Sequence, residues 1–164
     1  MSPSRKKVIV RKFSRDWLAG YLPPAGFAER DRIELLDLAG KVATLRLNEV
    51  KWLSFVREFN SGEAENPERL LRKTFVARPR SEGLWMRLKL TDGDSIEGLA
   101  TNDLSLIEGS GIFITPPDIR SNTQRLFIPH SSISELEVVA IIANPSKKKA
   151  AETPRQEELF GRPD

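Results

Sequence analysis

Hydrophobic and polar residues alternate in short blocks along most of this chain. Lys7 to Phe13 sets Val8 and Val10 against Ile9 and Arg11, the two-residue period of a strand. Trp17 to Leu22 makes a second block, stopped by Pro23 and Pro24, which have no N–H to give a ladder. Asp31–Asp37, Val42–Leu47 and Val50–Phe55 continue the series, with a turn at Ala39-Gly40. Helical periodicity is missing from this stretch, so the pattern predicts an all-β first half.

From Glu58 to Gly83 the pattern changes. Asn60 to Glu63 reads as a loop. Asn66-Pro67-Glu68 then combines an N-cap, a proline at the first helical position and an early acid. A short helix is predicted through Glu68–Lys73, followed by an extended connector at Phe75–Pro79. The strand programme then resumes. Met86-Arg87-Leu88-Lys89-Leu90 alternates into Thr91-Asp92-Gly93-Asp94, the signal for a tight hairpin turn. Ser95 to Thr101 follows, with Gly98 inside the strand, where a glycine marks a bend or a close backbone approach. Gly111–Ile114 and the run from Thr123 to Val139 complete the half.

The two halves share a local pattern. Val8, Val10, Asp16, Leu18 and Gly20 match Met86, Leu88, Asp94, Ile96 and Gly98 at a constant spacing of 78 residues. This favours a tandem of two related small β units packed together. Past Ala143-Asn144-Pro145 the chain turns polar, with Lys147-Lys148-Lys149, and offers little to bury.

Composition removes several function classes. The 164 residues contain no Cys and one His, His130, so thiol chemistry and multi-histidine metal sites are excluded. No glycine-rich phosphate loop occurs, and no cofactor is expected. Residues 1–6 are a polar leader without the apolar core of a signal peptide, and no apolar run reaches the ~20 residues that span a bilayer; a cytoplasmic protein is expected. The net charge is +3, with acids interspersed among the bases, which is weak evidence for a polyanionic partner.

Few residues carry candidate chemistry. Trp17, Trp52, Trp85 and the phenylalanines could stack bases, but most sit at core positions of the alternation; Trp17 and Trp85 are the expected exceptions. Thr115-Pro116-Pro117-Asp118 ends a strand, and Ser121 and Asn122 are turn formers, so a structured hairpin loop is expected. Within it Arg120, Asn122, Gln124 and Arg125 offer donors to phosphate or carboxylate. His130 has no nucleophile or orienting acid placed beside it by sequence.

Leu88 to Leu106, with Asp92, Gly93, Gly98 and Asp103, resembles the first motif of Sm-like proteins, and Ser121 to Val138 resembles the closing strands of the bacterial Sm-like RNA chaperone. Phe55–Phe59 (FVREF), then KLTDGDSIEG and GIFITPPDIRSNTQRLFIP, are similar to an uncharacterised bacterial domain family, with Thr123 where a second Asn is usual. That resemblance implies a small β domain without an established activity. Gln156-Glu157-Glu158-Leu159-Phe160 resembles the Gln-x-x-Leu-Phe peptide by which bacterial proteins dock on the replication sliding clamp.

The expected architecture is therefore all-β with one short helix: two tandem Sm-like small β-barrel halves packed together. The expected boundaries are a leader at 1–6, halves at 7–59 and 85–143 around a connector at 60–84, and a disordered tail at 144–164. The expected function is a non-enzymatic binding or adaptor module acting through protein–protein contacts. The alternatives are RNA or single-stranded DNA binding, with Arg78, Arg80, Arg120, Arg125 and the lysine tail on phosphates, and a clamp client docked through Gln156, Leu159 and Phe160. Homo-oligomers through edge-strand pairing are also expected.

Overall fold

The computed structural model describes residues 6–23, 31–59, 71–118 and 121–143. Ten strands follow in order: β1 (Lys6–Lys12), β2 (Trp17–Leu22), β3 (Arg32–Asp37), β4 (Val42–Arg46), β5 (Val50–Val56), β6 (Gly83–Leu90), β7 (Ser95–Ala100), β8 (Gly111–Ile114), β9 (Thr123–Pro129) and β10 (Ile133–Ile142). Short 3-10 turns at Leu47–Glu49 and His130–Ser132 lead into β5 and β10, and a third lies at Leu104–Leu106. The expected strands are all present to within a few residues. The expected helix is not: Leu71–Lys73 is non-helical, and Glu68 to Leu70 lie outside the described residues.

All pairings are antiparallel. One sheet runs β4-β3-β2-β1-β5-β9-β8 and the other β10-β6-β7. They meet at a single bridge, where Leu99 and Thr115 exchange both backbone hydrogen bonds at 3.0 and 2.8 Å. The strands thus form one open run from β4 to β10. The expected closure into barrels is corrected: the sheets stay open. The reason lies in β5 and β9, which pair with each other across the two halves instead of closing their own (Leu53↔Phe127, Ser54↔Leu126, Phe55↔Arg125).

Alternation sets the core. In β6, Leu84, Met86, Leu88 and Leu90 point inward and Arg87 and Lys89 outward, so one face is buried. β5 is buried along its whole length because it is paired on both edges and covered on both faces. Its Leu53 and Phe55 join Val8, Val10, Ile33 and Leu35 in one core cluster. Its Trp52, fully buried, joins Met86, Leu88, Ile96 and Ile114 in the other. Phe127 of β9 makes the reverse exchange and packs into the first cluster. Each such side chain is worth about 2–3 kcal/mol on burial, so the halves share their hydrophobic interior.

Gly98 shows why β7 needs a glycine inside the strand. A Cβ there would meet Ile114 at 2.7 Å and the Thr115 carbonyl oxygen at 3.0 Å, where β7 crosses β8. Gly93, at φ 90°, supplies the left-handed corner of the β6–β7 turn.

Candidate functional site

The junction between β5, the connector and the β6–β7 turn holds the densest charge cluster among the described residues. Lys51 is a single cation in the otherwise uncharged strand Val50–Val56, and its stem is buried. Its Nζ reaches Asp92 Oδ2 at 2.9 Å and Asp94 Oδ2 at 2.8 Å. Lys73, from the connector, donates to the same Asp94 oxygen at 2.7 Å. Both ammonium groups lie over the Trp52 ring, at 4.8 and 5.8 Å from its centroid.

These contacts decide the charge states. Burial pushes the Asp94 carboxyl up, but hydrogen bonds from Lys51, Lys73 and the Ser95 amide more than offset it and hold the group at about 2. Asp92 is lowered for the same reason, burial being outweighed by Lys51. On Lys51, burial works downward and is outweighed by Asp94 and Asp92, so its pKa is raised. Every charge here is matched. The cluster fastens the second half to the first and offers no group poised for proton transfer.

A buried acid, Glu97 on β7, is held by three donors: Trp85 Nε1 at 3.0 Å, Arg87 Nε at 3.2 Å and the Phe75 amide at 3.3 Å. The Lys73 carbonyl accepts the Glu97 amide at 2.7 Å. Together these bonds lay the connector along β7. Trp85 is therefore half-buried through its polar edge, and Trp17 is exposed, as the alternation predicted for both.

The candidate hairpin residues separate. Asn122 is a structural clip: its Nδ2 donates to the Glu58 carbonyl at 2.8 Å and its Oδ1 accepts from the Glu58 amide at 3.0 Å. Ser121 Oγ donates to the Asp118 carbonyl at 2.9 Å, and Ile119 and Arg120, in the middle of the expected hairpin loop, lie outside the described residues. Gln124 and Arg125 are exposed, with the Arg125 guanidinium 4.4 Å from the centre of the Phe113 ring. Arg120, Gln156, Leu159 and Phe160 lie outside the described residues, as does the predicted tail.

Two concave surfaces flank the run. A groove of about 1010 Å³ lies between the connector and the end of β7; Arg72, Arg78 and Arg80 line it with Glu82, Pro116 and Pro117. A cleft of about 730 Å³ lies where the two halves meet; Arg32, Arg46, Asn48, Ser110 and His130 line it with Asp31. Arg125 lines neither of these two surfaces, and Arg120 and the lysine tail lie outside the described residues. Among the described residues no group of three or more His, Asp or Glu could hold a metal, and no helix is long and apolar enough to cross a membrane.

Sequence reasoning missed Lys51, Lys73 and Glu97 as partners, although a lone lysine inside an apolar strand is itself a sign of a buried counter-charge. It expected edge-strand pairing but did not say which strands lie at the edges. Among the described residues no strand pairs with the outer side of β4 or of β10. Val42 on β4 and Leu136, Val138 and Ile141 on β10 are exposed there.

Residues 4–140 match the model of a family described as a family of unknown function (DUF6982). No curated protein and no solved structure matches the chain.

Proposed function

The chain belongs to this family of unknown function, and from its geometry we propose that it is a non-enzymatic binding module: two tandem Sm-like halves that engage a protein partner through open edge strands. The observation that carries the reading is the pair of edges, β4 and β10, that have no outer partner among the described residues and along which large apolar side chains are exposed. An exposed apolar edge is a template for strand addition, giving affinity through the backbone and specificity through alternate side chains.

The tandem reading is supported by register. The β1–β2 hairpin pairs Val8 with Gly20 and Val10 with Leu18; β6–β7 pairs Met86 with Gly98 and Leu88 with Ile96, each residue 78 positions on. The β3–β4 pairs Ile33↔Leu45 and Leu35↔Ala43 recur as Ile112↔Ile128 and Ile114↔Leu126. The bulge between Arg11 and Lys12 against β5 recurs between Lys89 and Leu90 against β10. Even the loop bonds repeat: Phe13 N–H to the Glu49 carbonyl at 3.1 Å, and Thr91 N–H to the Ser132 carbonyl at 2.9 Å.

The test is a pull-down on the immobilised full chain, with and without nuclease. Capture should survive nuclease, fall with Val42→Asp or Val138→Asp, and be indifferent to Arg78→Ala. Capture that vanishes on nuclease treatment would overturn the reading.

A second reading is RNA or single-stranded DNA binding. The observation favouring it is the placement of Arg72, Arg78 and Arg80 on one groove. It requires affinity for an oligonucleotide that falls steeply with salt and weakens with Arg78→Ala and Arg80→Ala. A flat response at low salt would remove it.

A further inference from the structure

The internal junction of this chain describes a second junction that one copy cannot make. β5 and β9 pair across the halves. In the tandem reading, on which this inference rests, β10 is the counterpart of β5 and β4 the counterpart of β9. The spacing is the same for both: Val50 to Ile133 and Arg46 to Pro129 are each 83 positions apart. Among the described residues, the strand that makes the junction in the first half therefore lies open in the second, and the strand that receives it lies open in the first.

We infer that this protein assembles head to tail, the β10 edge of one copy pairing antiparallel with the β4 edge of the next, as β5 pairs with β9 inside each chain. Displacing the internal register by 83 positions sets Leu136 opposite Thr44, Glu137 opposite Ala43 and Val138 opposite Val42 of the neighbouring copy. Inside the chain Leu53 and Phe55 occupy these β10 positions and are 0% and 9% exposed, covered by Phe127 and Phe113. Their counterparts Leu136 and Val138 are 47% and 48% exposed. They pair with Leu88 and Met86, so they sit beside core residues and lack only the neighbouring strand. Val42, the residue the register brings against Val138, is 69% exposed.

Charge agrees with this occupant. β10 carries Glu135 and Glu137, whereas β4 follows Lys41 and ends on Arg46. Two β10 edges facing each other would set acid against acid, so the arrangement disfavours a symmetric dimer. Pairing unlike edges leaves the same two edges open at the ends of every assembly that has not closed. Such a contact grows until it closes as a ring, or extends as a filament if the rotation does not close.

The experiment is native mass spectrometry and light scattering on the full chain, with Val42→Asp and Val138→Asp. Both positions are exposed in the single chain, so unchanged circular dichroism and melting are expected and are checked first. The wild type should form species larger than a dimer at micromolar concentration. Each variant alone should lose these, with association weakened at least about tenfold. A mixture of the two should restore a one-to-one heterodimer and nothing larger, because one partner retains a sound β10 and the other a sound β4. A wild type that stays monomeric to about 100 μM, well above the micromolar affinities of transient pairs, would overturn the inference. So would a dimer that neither variant disturbs, or a mixture that forms no heterodimer. A monomeric wild type whose protein capture is still lost with Val42→Asp or Val138→Asp would refute self-assembly and leave the binding-module reading standing.

Discussion

Replacing Lys51 by Met tests whether the charge cluster at the junction of the halves acts as described. Met keeps the length and apolar stem that pack near Trp52 and removes the ammonium from between Asp92 and Asp94. Breaking a fully buried pair by removing one partner costs about 3–5 kcal/mol. Here the side chains of Asp92 and Asp94 are 35% and 25% exposed, and Asp94 keeps Lys73, so the expected loss is smaller, about 2 kcal/mol at pH 7. The pH dependence separates this mechanism from lost packing. Both carboxylates have folded-state pKa values below the ordinary 3.8, with Asp94 at about 2. Their contribution is fully present above the unfolded value and is lost as the pH falls from about 4 toward 2. Urea unfolding followed by tryptophan fluorescence should therefore give a stability gap that is widest near neutrality and narrows below pH 4. A gap under about 0.5 kcal/mol at pH 7, the size expected of a surface pair, would refute the reasoning. A gap unchanged between pH 7 and pH 3 would show instead that the loss does not run through the charges of Asp92 and Asp94.

Further outcomes are expected elsewhere. Glu97→Ala should cost about 2 kcal/mol in urea unfolding, since it strands the Trp85, Arg87 and Phe75 donors that meet there. Gly98→Val should destabilise by about 1–3 kcal/mol or more through collision with Ile114 and Thr115, and Gly20→Val should do the same against Leu35 and Leu36; near-neutral melting of either would contradict the close approach. Ser54→Ala should raise stability by about 1 kcal/mol, because the Ser54 Oγ is buried without a hydrogen-bond partner among the described residues. If the tail docks on a sliding clamp, Leu159→Ala with Phe160→Ala should abolish that binding in a pull-down and leave the melting temperature unmoved.

Strand identity was legible locally because the side-chain period of two is written residue by residue, and β6 buries the three inward positions that MRLKL predicts, Met86, Leu88 and Leu90. The Asp92-Gly93 turn, the in-strand glycines and the matched spacing of 78 residues were legible for the same reason: each depends on a few neighbouring positions and one backbone conformation. The helix expected at Glu68–Lys73 failed over Leu71–Lys73. Its caps compete there with non-local bonds, the Lys73 carbonyl to the Glu97 amide and the Lys73 ammonium to Asp94, which hold that end of the connector extended. Asn122 looked like a donor for a ligand because its amide is free in sequence; it is spent on the Glu58 backbone 64 positions away.

Local pattern therefore settles which segments are strands and where they turn. It does not settle who pairs with whom. A strand with apolar residues on both faces is told only that it must be buried, and β5 satisfies that equally by closing a barrel or by taking β9 from the other half. Long-range pairing chose the second, because it buries Trp52 in one core and Phe127 in the other. The same choice left β4 and β10 without an outer partner among the described residues, and these are the edges on which the proposed function depends.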